Sequence, residues 1–333
     1  MKKIFITDYI NDPEVEKKIF KDSVEITCLN EKDENKFPKE IEQADGLLVW
    51  HAKISELTFK KLKKKVAIIR YGVGTDNIDL KTIKKYDVTF ANTPDYGVDE
   101  VADTASALIL NLLRKIQLYN NKTRLHFGNW QGEVVNINKK SPILRTSDHK
   151  LGIIGLGRIG SALALRMKQF SMKIGFFDPY VSSGYEKVLG LKRYNSLNDL
   201  KSNSTIISIN ATLTKETNKM IDKEFIKTLN ENTILINTAR GAIIENLDII
   251  LDGLKSNKLS GVGLDVLPEE PPKESDSLIK VWKNTNDELS DKIIINPHAG
   301  YYSASSIKEM RKKASENMLS FLKGNKIRNI VKA

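Results

Sequence analysis

The chain has 333 residues with 53 Lys and Arg against 42 Asp and Glu, a net charge of +11, 40% hydrophobic and 29% charged residues. That is the composition of a folded globular protein long enough for two cores, and its single cysteine, Cys28, excludes an internal disulfide framework. The longest apolar stretch, Ala105–Leu113, is roughly half a membrane span. Asp8 interrupts the opening MKKIFITDYI too early for a signal peptide, so a cytoplasmic protein without a membrane partner is expected. Even the KKLKKK run at Lys60–Lys65 lacks the interleaved aromatics of a nucleic-acid face; the excess charge predicts a lysine-rich surface that steers anions.

In chain order, residues 2–92 alternate short apolar runs (KIFITD, VEITCLN, GLLVW, VAIIRY, VTFAN) with amphipathic segments such as PEVEKKIF and SELTFKKL. This βα alternation predicts a parallel sheet covered by helices. A long helix is expected over Val98–Asn120, with Val101, Ala105, Leu108, Ile109, Leu112 and Ile116 at helical spacing. Residues 121–149 are polar and read as an irregular connection, with His126 and His149 expected to face solvent. A second βα series begins at Lys150: LGIIG, KIGFFD, TIISIN, TILINT, GVGLDV and KIIINP.

The first turn of that series carries the clearest chemistry. Gly155, Gly157 and Gly160 form G-x-G-x-x-G after an apolar strand, and a helix with Ile159, Leu163, Met167 and Phe170 on one face follows. Gly155 permits the turn, Gly157 lets backbone N–H groups approach a pyrophosphate, and Gly160 lets helix and strand pack closely. Asp178 ends the next strand, 18 residues after Gly160. An acid there accepts from ribose hydroxyls and repels a 2′-phosphate. Pro179 and Tyr180 follow it rather than a cation, which favours NAD over NADP.

Three later strands run into residues of catalytic type: TILINT into Arg240, GVGLDV into Glu269 and Glu270, and KIIINP into His298. Ligands of open α/β sheets bind beyond the carboxyl ends of the strands, so these side chains converge where a nicotinamide would lie. A guanidinium holds a carboxylate, an imidazole moves a proton near neutrality, and a carboxylate beside it favours imidazolium. Together they suit hydride transfer between a hydroxy acid and a keto acid. His51, ending GLLVW, borders the same edge or is structural. No His, Cys, Asp or Glu spacing points to a metal. The final helix, Ala304–Leu322, carries Ile307, Met310, Ala314, Met318 and Phe321 on one face and needs a host. The N-terminal βα series is the natural one, which places two hinge crossings near residues 98 and 300.

The blocks RYGVGTDNID (Arg70–Asp79), NTPDYGVDEVAD (Asn92–Asp103), GLGRIG, NTARGAIIE (Asn237–Glu245), LDVLPEEP (Leu264–Pro271) and NPHAGYYS (Asn296–Ser303) make the chain resemble the D-isomer-specific 2-hydroxyacid dehydrogenases. SLIKVW and PHAGYYS look closest to the branch with the C-terminal-binding-protein corepressors. The resemblance implies an α/β fold with a Rossmann NAD-binding domain over 98–300. A flavodoxin-like βα substrate domain would combine 1–97 and 301–333, with the cleft closing on a small anionic 2-hydroxy or 2-keto acid. It implies a homodimer built largely on the Val98–Asn120 helix. It further implies Arg240 on the substrate carboxylate, His298 as acid/base, and Glu270 beside it, with Glu269 a contender.

By the same resemblance Val73 and Gly74 would offer backbone donors to the substrate, with Arg70 and Tyr301 nearby. Gly155, Gly157, Arg158, Ile159 and Gly160 would meet the pyrophosphate, and Asp178 the ribose. Thr238, Ala239, Arg240, Asp265, His298 and Gly300 would border the nicotinamide. Ala105 stands where many relatives place a cofactor-facing threonine, with Thr104 one place earlier. An alternative implication is an NAD(H)-sensing, corepressor-like interaction protein with secondary activity; formate oxidation is disfavoured by Glu270, where that branch commonly has glutamine.

Overall fold

A computed structural model describes residues 1–125, 128, 130–140 and 142–331. His126 lies outside the described residues. The chain divides into two compact units, Met1–Gly97 with Tyr302–Ala333, and Val98–Tyr301. The second boundary thus falls after Tyr301, which the sequence reading had placed with the substrate domain. Among the described residues no helix is long and apolar enough to cross a membrane.

In the first unit, the strands are β1 (Lys2–Ile6), β2 (Val24–Cys28), β3 (Gly46–Val49), β4 (Val66–Arg70) and β5 (Val88–Ala91). They form a parallel sheet in the order β2-β1-β3-β4-β5, the flavodoxin-like arrangement. The central strands β3 and β4 are buried at every position, as expected where helices cover both faces. β2, at the edge, alternates instead.

Helix Ala304–Leu322 belongs to this unit and buries Met310, Ala314 and Met318. Arg311 on it donates to the fully buried Glu16 through Nε (2.9 Å) and Nη2 (2.6 Å). Tyr71 Oη, also fully buried, donates to the same carboxylate at 2.8 Å. Beyond the helix the chain returns to β5: Ile330 bridges Ala91 and the Val331 N–H donates to the Phe90 carbonyl.

In the second unit, the strands are β6 (Lys150–Ile154), β7 (Lys173–Phe177), β8 (Lys192–Arg193), β9 (Ile206–Ile209), β10 (Thr233–Asn237), β11 (Leu259–Leu264) and β12 (Ile293–Ile295). All are parallel, in the order β12-β11-β10-β9-β6-β7-β8. The doubly wound reversal lies between β6 and β9, the crevice position for a dinucleotide. Helix Val98–Arg114 lies on this sheet, where Gly263 lets Leu108 approach β11: a Cβ there would sit 3.1 Å from the Leu108 Cβ.

Several sequence expectations fail locally. The long helix stops at Arg114, because Lys115 takes a left-handed conformation (φ 52°), and Ile116 is exposed. Residues 121–149 are not irregular: they include the end of helix Ile116–Leu125 and all of helix Trp130–Lys140. The helix after the glycine turn ends at Lys168, so Phe170 falls beyond it and is exposed. His149 is half-buried with Nδ1 3.2 Å from the Thr205 hydroxyl, not solvent-facing.

Candidate active site

The glycine turn works through backbone geometry. Gly155 has φ +89°, and a Cβ there would lie 2.7 Å from the Ala211 backbone. A Cβ on Gly160 would overlap the Gly155 carbonyl, so the helix can approach β6 only without one. Gly157, the N-cap of helix Arg158–Lys168, faces open space, and no side chain caps its free N–H groups. Arg158 at the first helical position is exposed and Ile159 half-buried. Asp178 is half-buried: Oδ2 accepts from the Leu156 N–H at 2.8 Å and Oδ1 from the Tyr180 N–H at 2.9 Å. The acid therefore shapes the glycine loop as well as ending β7.

Arg193, which the sequence reading passed over, donates to the Asp178 carbonyl at 3.3 Å and pairs with Glu186 at 3.1 Å. It ends a two-residue strand too short to show a pattern. Farther along the carboxyl edge, the buried Asn210 Oδ1 and Thr238 Oγ1 have no hydrogen-bond partner among the described residues, a state that a buried polar atom keeps at a cost unless a ligand meets it. Open space at Gly157, uncapped helical N–H groups, an acid at the end of β7 and two orphaned oxygens fit a dinucleotide.

The loop after β10 is held by Asn237, whose Oδ1 accepts from the Ala239 N–H (3.0 Å) and whose Nδ2 donates to the Arg240 carbonyl (3.0 Å). Arg240 Nη1 donates to the Ala239 carbonyl at 2.8 Å. Gly241 presses on the next loop so closely that a Cβ would overlap the Leu267 carbonyl. That second loop turns back through Glu270, whose Oε1 accepts from the Leu267 N–H at 2.8 Å.

Glu270 Oε2 lies 2.8 Å from His298 Nδ1, whereas Glu269 is exposed and paired with Lys273 at 2.9 Å. Facing a carboxylate, Nδ1 is the donor, which leaves Nε2 to exchange a proton. Burial works to raise the Glu270 carboxyl, but the hydrogen bonds from His298 and Leu267 and the Arg240 charge outweigh it and hold it below its ordinary value.

His298 has φ 55°, unusual for a residue with a side chain. Its N–H donates to the Asp265 carbonyl at 2.8 Å, and the Asp265 carboxylate accepts from the Ala299 and Gly300 N–H groups at 3.0 Å. Burial leads the shift of Asp265 above its usual range, against those two amides. Thr104 donates to the Gly300 carbonyl at 3.3 Å, while Ala105 is fully buried. Tyr301 lies edge-on to His298, ring centres 6.3 Å apart.

In the first unit, the buried Arg70 donates from Nε to the Trp50 carbonyl at 3.3 Å. The loop Gly72–Gly74 is clamped from β5: Thr93 N–H donates to the Gly72 carbonyl (2.9 Å), its hydroxyl to the Arg70 carbonyl (2.9 Å), and Asn92 Nδ2 to the Val73 carbonyl (2.6 Å). Val73 itself is exposed. Asp8, also passed over, is 2% exposed and accepts from the His51 N–H at 2.7 Å. His51 stacks on Trp50 at 5.5 Å and meets Tyr9 edge-on at 5.1 Å.

Comparison with known proteins decides the class. Residues 106–300 match the D-isomer specific 2-hydroxyacid dehydrogenase, NAD binding domain. The chain belongs to that family. It is 31% identical to a glyoxylate reductase of Pyrococcus horikoshii over 97% of this chain and 93% of that protein. It is 29% identical to a D-3-phosphoglycerate dehydrogenase of Methanocaldococcus jannaschii, covering 99% of this chain and 59% of that longer protein. Among solved structures, a D-lactate dehydrogenase from Aquifex aeolicus, complexed with NAD and lactic acid, superposes with a TM-score of 0.80 at 29% identity, over 99% of each chain.

The protein is thus an NAD-dependent D-2-hydroxyacid dehydrogenase, and its second unit, a Rossmann fold, carries that family's NAD-binding domain.

Proposed function

We propose that this dehydrogenase interconverts a small D-2-hydroxy acid and its 2-keto acid with His298 as acid/base and Arg240 on the substrate carboxylate. The observation that carries the reading is the 2.8 Å bond between Glu270 Oε2 and His298 Nδ1. It orients the imidazole and leaves Nε2 to serve the substrate oxygen. Bound NAD supplies the hydride acceptor in oxidation and, reduced, the donor in reduction. In reduction, His298 gives a proton from Nε2 to the forming hydroxyl; in oxidation it takes that proton. The Arg240 guanidinium neutralises the carboxylate and polarises the neighbouring carbonyl. Arg70 and the Val73 and Gly74 N–H groups add donors to the carboxylate, and Tyr301 borders the rest of the substrate.

On the cofactor side, the Gly155–Gly160 loop, with Arg158 and Ile159, binds the pyrophosphate. Asp178 binds the adenosine ribose. Thr238, Ala239, Asp265 and Gly300 border the nicotinamide end. The relatives named for glyoxylate and D-lactate support a short substrate. The test is loss of NADH absorbance with glyoxylate, pyruvate, hydroxypyruvate and larger keto acids. Arg240→Ala and His298→Ala should each lose at least a hundredfold in rate; turnover at the wild-type level in either removes its assigned role.

A homodimer is part of the same reading. The exposed apolar side chains Ile116, Trp130, Val134 and Val135 on two adjacent helices support it. Light scattering should give twice the chain mass of 37.6 kDa, and Trp130→Glu with Val134→Glu should give the monomer.

A further inference from the structure

A small polar cavity of about 280 Å³ lies in the first unit, between the end of β5, helix Ala304–Leu322 and the C-terminal segment. Its lining includes Asn92, Thr93, Asp95, Lys313, Lys326 and Arg328. The C-terminal segment is built into the wall rather than lying loosely on it: the Arg328 N–H donates to Asn317 Oδ1 (2.7 Å), Asn317 Nδ2 returns to the Arg328 carbonyl (2.8 Å), and the Asn92 N–H donates to the Asn329 carbonyl (3.3 Å).

The charges in the cavity do not cancel locally. Lys313 is shared between Asp95 at 2.9 Å and Glu309 on its own helix, and Glu316 faces Lys312 at 3.8 Å. Lys326 and Arg328 are exposed on the rim and have no acidic partner among the described residues. Two cations with no acid in contact, beside amide and hydroxyl groups, call for an anion, and a guanidinium suits a planar carboxylate. The size admits a molecule of a few carbons and not a nucleotide.

The cavity shares two residues with the substrate loop. Asn92 and Thr93 line it, and the same residues clamp the Gly72 and Val73 carbonyls. We propose that this cavity is an effector site for a small organic carboxylate, whose binding beside Asn92 and Thr93 shifts the Gly72–Gly74 loop and so changes the affinity for substrate. The existence of the site is independent of the proposed function; its effect on substrate rests on the loop binding the substrate carboxylate. Such coupling acts on KM and leaves the chemical step, set by His298, alone.

The probe is succinate, which has no 2-hydroxy or 2-keto group, titrated calorimetrically into the apoprotein. Wild type should bind two per chain, one at Arg240 and one in the cavity. Lys326→Ala with Arg328→Ala, both exposed positions, should bind one, and Arg240→Ala should bind the other one. Succinate binding unaltered by Lys326→Ala with Arg328→Ala overturns the site, whatever the outcome at Arg240. Loss of sites at Arg240 alone being absent counts against the proposed function and not against the cavity. Phosphate binding in the cavity without succinate binding overturns the carboxylate assignment. In kinetics, succinate at Arg240 competes with the keto acid in both proteins; in wild type the cavity should add a further rise in KM of up to about threefold at unchanged kcat, which the double variant should lack. Inhibition identical in wild type and double variant overturns the coupling.

Discussion

Glu270→Gln is the sharpest test of the proposed proton relay, because it removes a charge and keeps the shape. A hydrogen bond to a charged group contributes about 1.5–3 kcal/mol. The two side chains are 39% and 37% exposed, so solvent screening argues for the lower end, about 1.5 kcal/mol, which corresponds to roughly tenfold in rate. The substitution puts an amide where a carboxylate faces Nδ1, so the ring keeps a neighbour of the same size and loses the charge beside it. Keto-acid reduction should fall about tenfold in kcat at neutral pH, and KM for NADH should stay at the wild-type value, because the glycine loop is untouched. Glu270 is held below its ordinary value, so its charge is fully present at neutral pH and is lost only as the pH falls through the acid range, where the wild-type advantage over the variant should shrink. The assay is the initial rate of NADH consumption, at neutral pH and on acidification. A wild-type rate in Glu270→Gln, or an equal loss in Glu269→Gln, would refute the argument.

Other substitutions test the scaffold. Asp178→Ala removes the acceptor of the Leu156 N–H and the proposed ribose ligand; KM for NADH should rise at least tenfold with a smaller change for NADPH, read from cofactor titrations. Gly241→Ala puts a Cβ into the Leu267 carbonyl, so it should cost about 3 kcal/mol, measured as a lower urea midpoint, and should weaken the rate as the Arg240 and Glu270 loops separate. Arg311→Ala leaves Glu16 buried without its cation and should destabilise the first unit by about 3–5 kcal/mol; Glu16→Gln with Arg311→Met should recover much of that in the same unfolding experiment.

The parts of this protein legible in the sequence are those with a local cause. Gly155, Gly157 and Gly160 are readable because each lacks a Cβ for a separate local reason, and among the described residues ten of the twelve strands are four residues or longer, enough to show as apolar or alternating segments. β8 is two residues long and β12 three, so the first carries no pattern at all and the second was read only with its polar continuation. Helices Ile116–Leu125 and Trp130–Lys140 were missed because their faces are not apolar enough to mark a period, and exposed Trp130, Val134 and Val135 break any amphipathic reading. The stop at Lys115 has no glycine to announce it. Glu269 and Glu270 are adjacent in sequence, and only the path of the loop turns one toward His298 and the other toward Lys273.

What sequence could not supply is the arrangement that aims His298. Its left-handed backbone costs about 1 kcal/mol or more for a residue with a Cβ, and nothing near it in the chain offsets that. The offset comes from Asp265, 33 positions earlier: its carbonyl takes the His298 N–H and its carboxylate takes those of Ala299 and Gly300. Three hydrogen bonds to one residue together offset a strain of that size, and Gly300 is needed because a Cβ there would sit 2.7 Å from Asp265 Oδ2. The same contacts bind the end of β12 to the end of β11, the strand whose following loop carries Glu270. Both halves of the Glu270–His298 pair are thereby referenced to one buried carboxylate, which explains how a bond between two side chains more than a third exposed is held in one geometry.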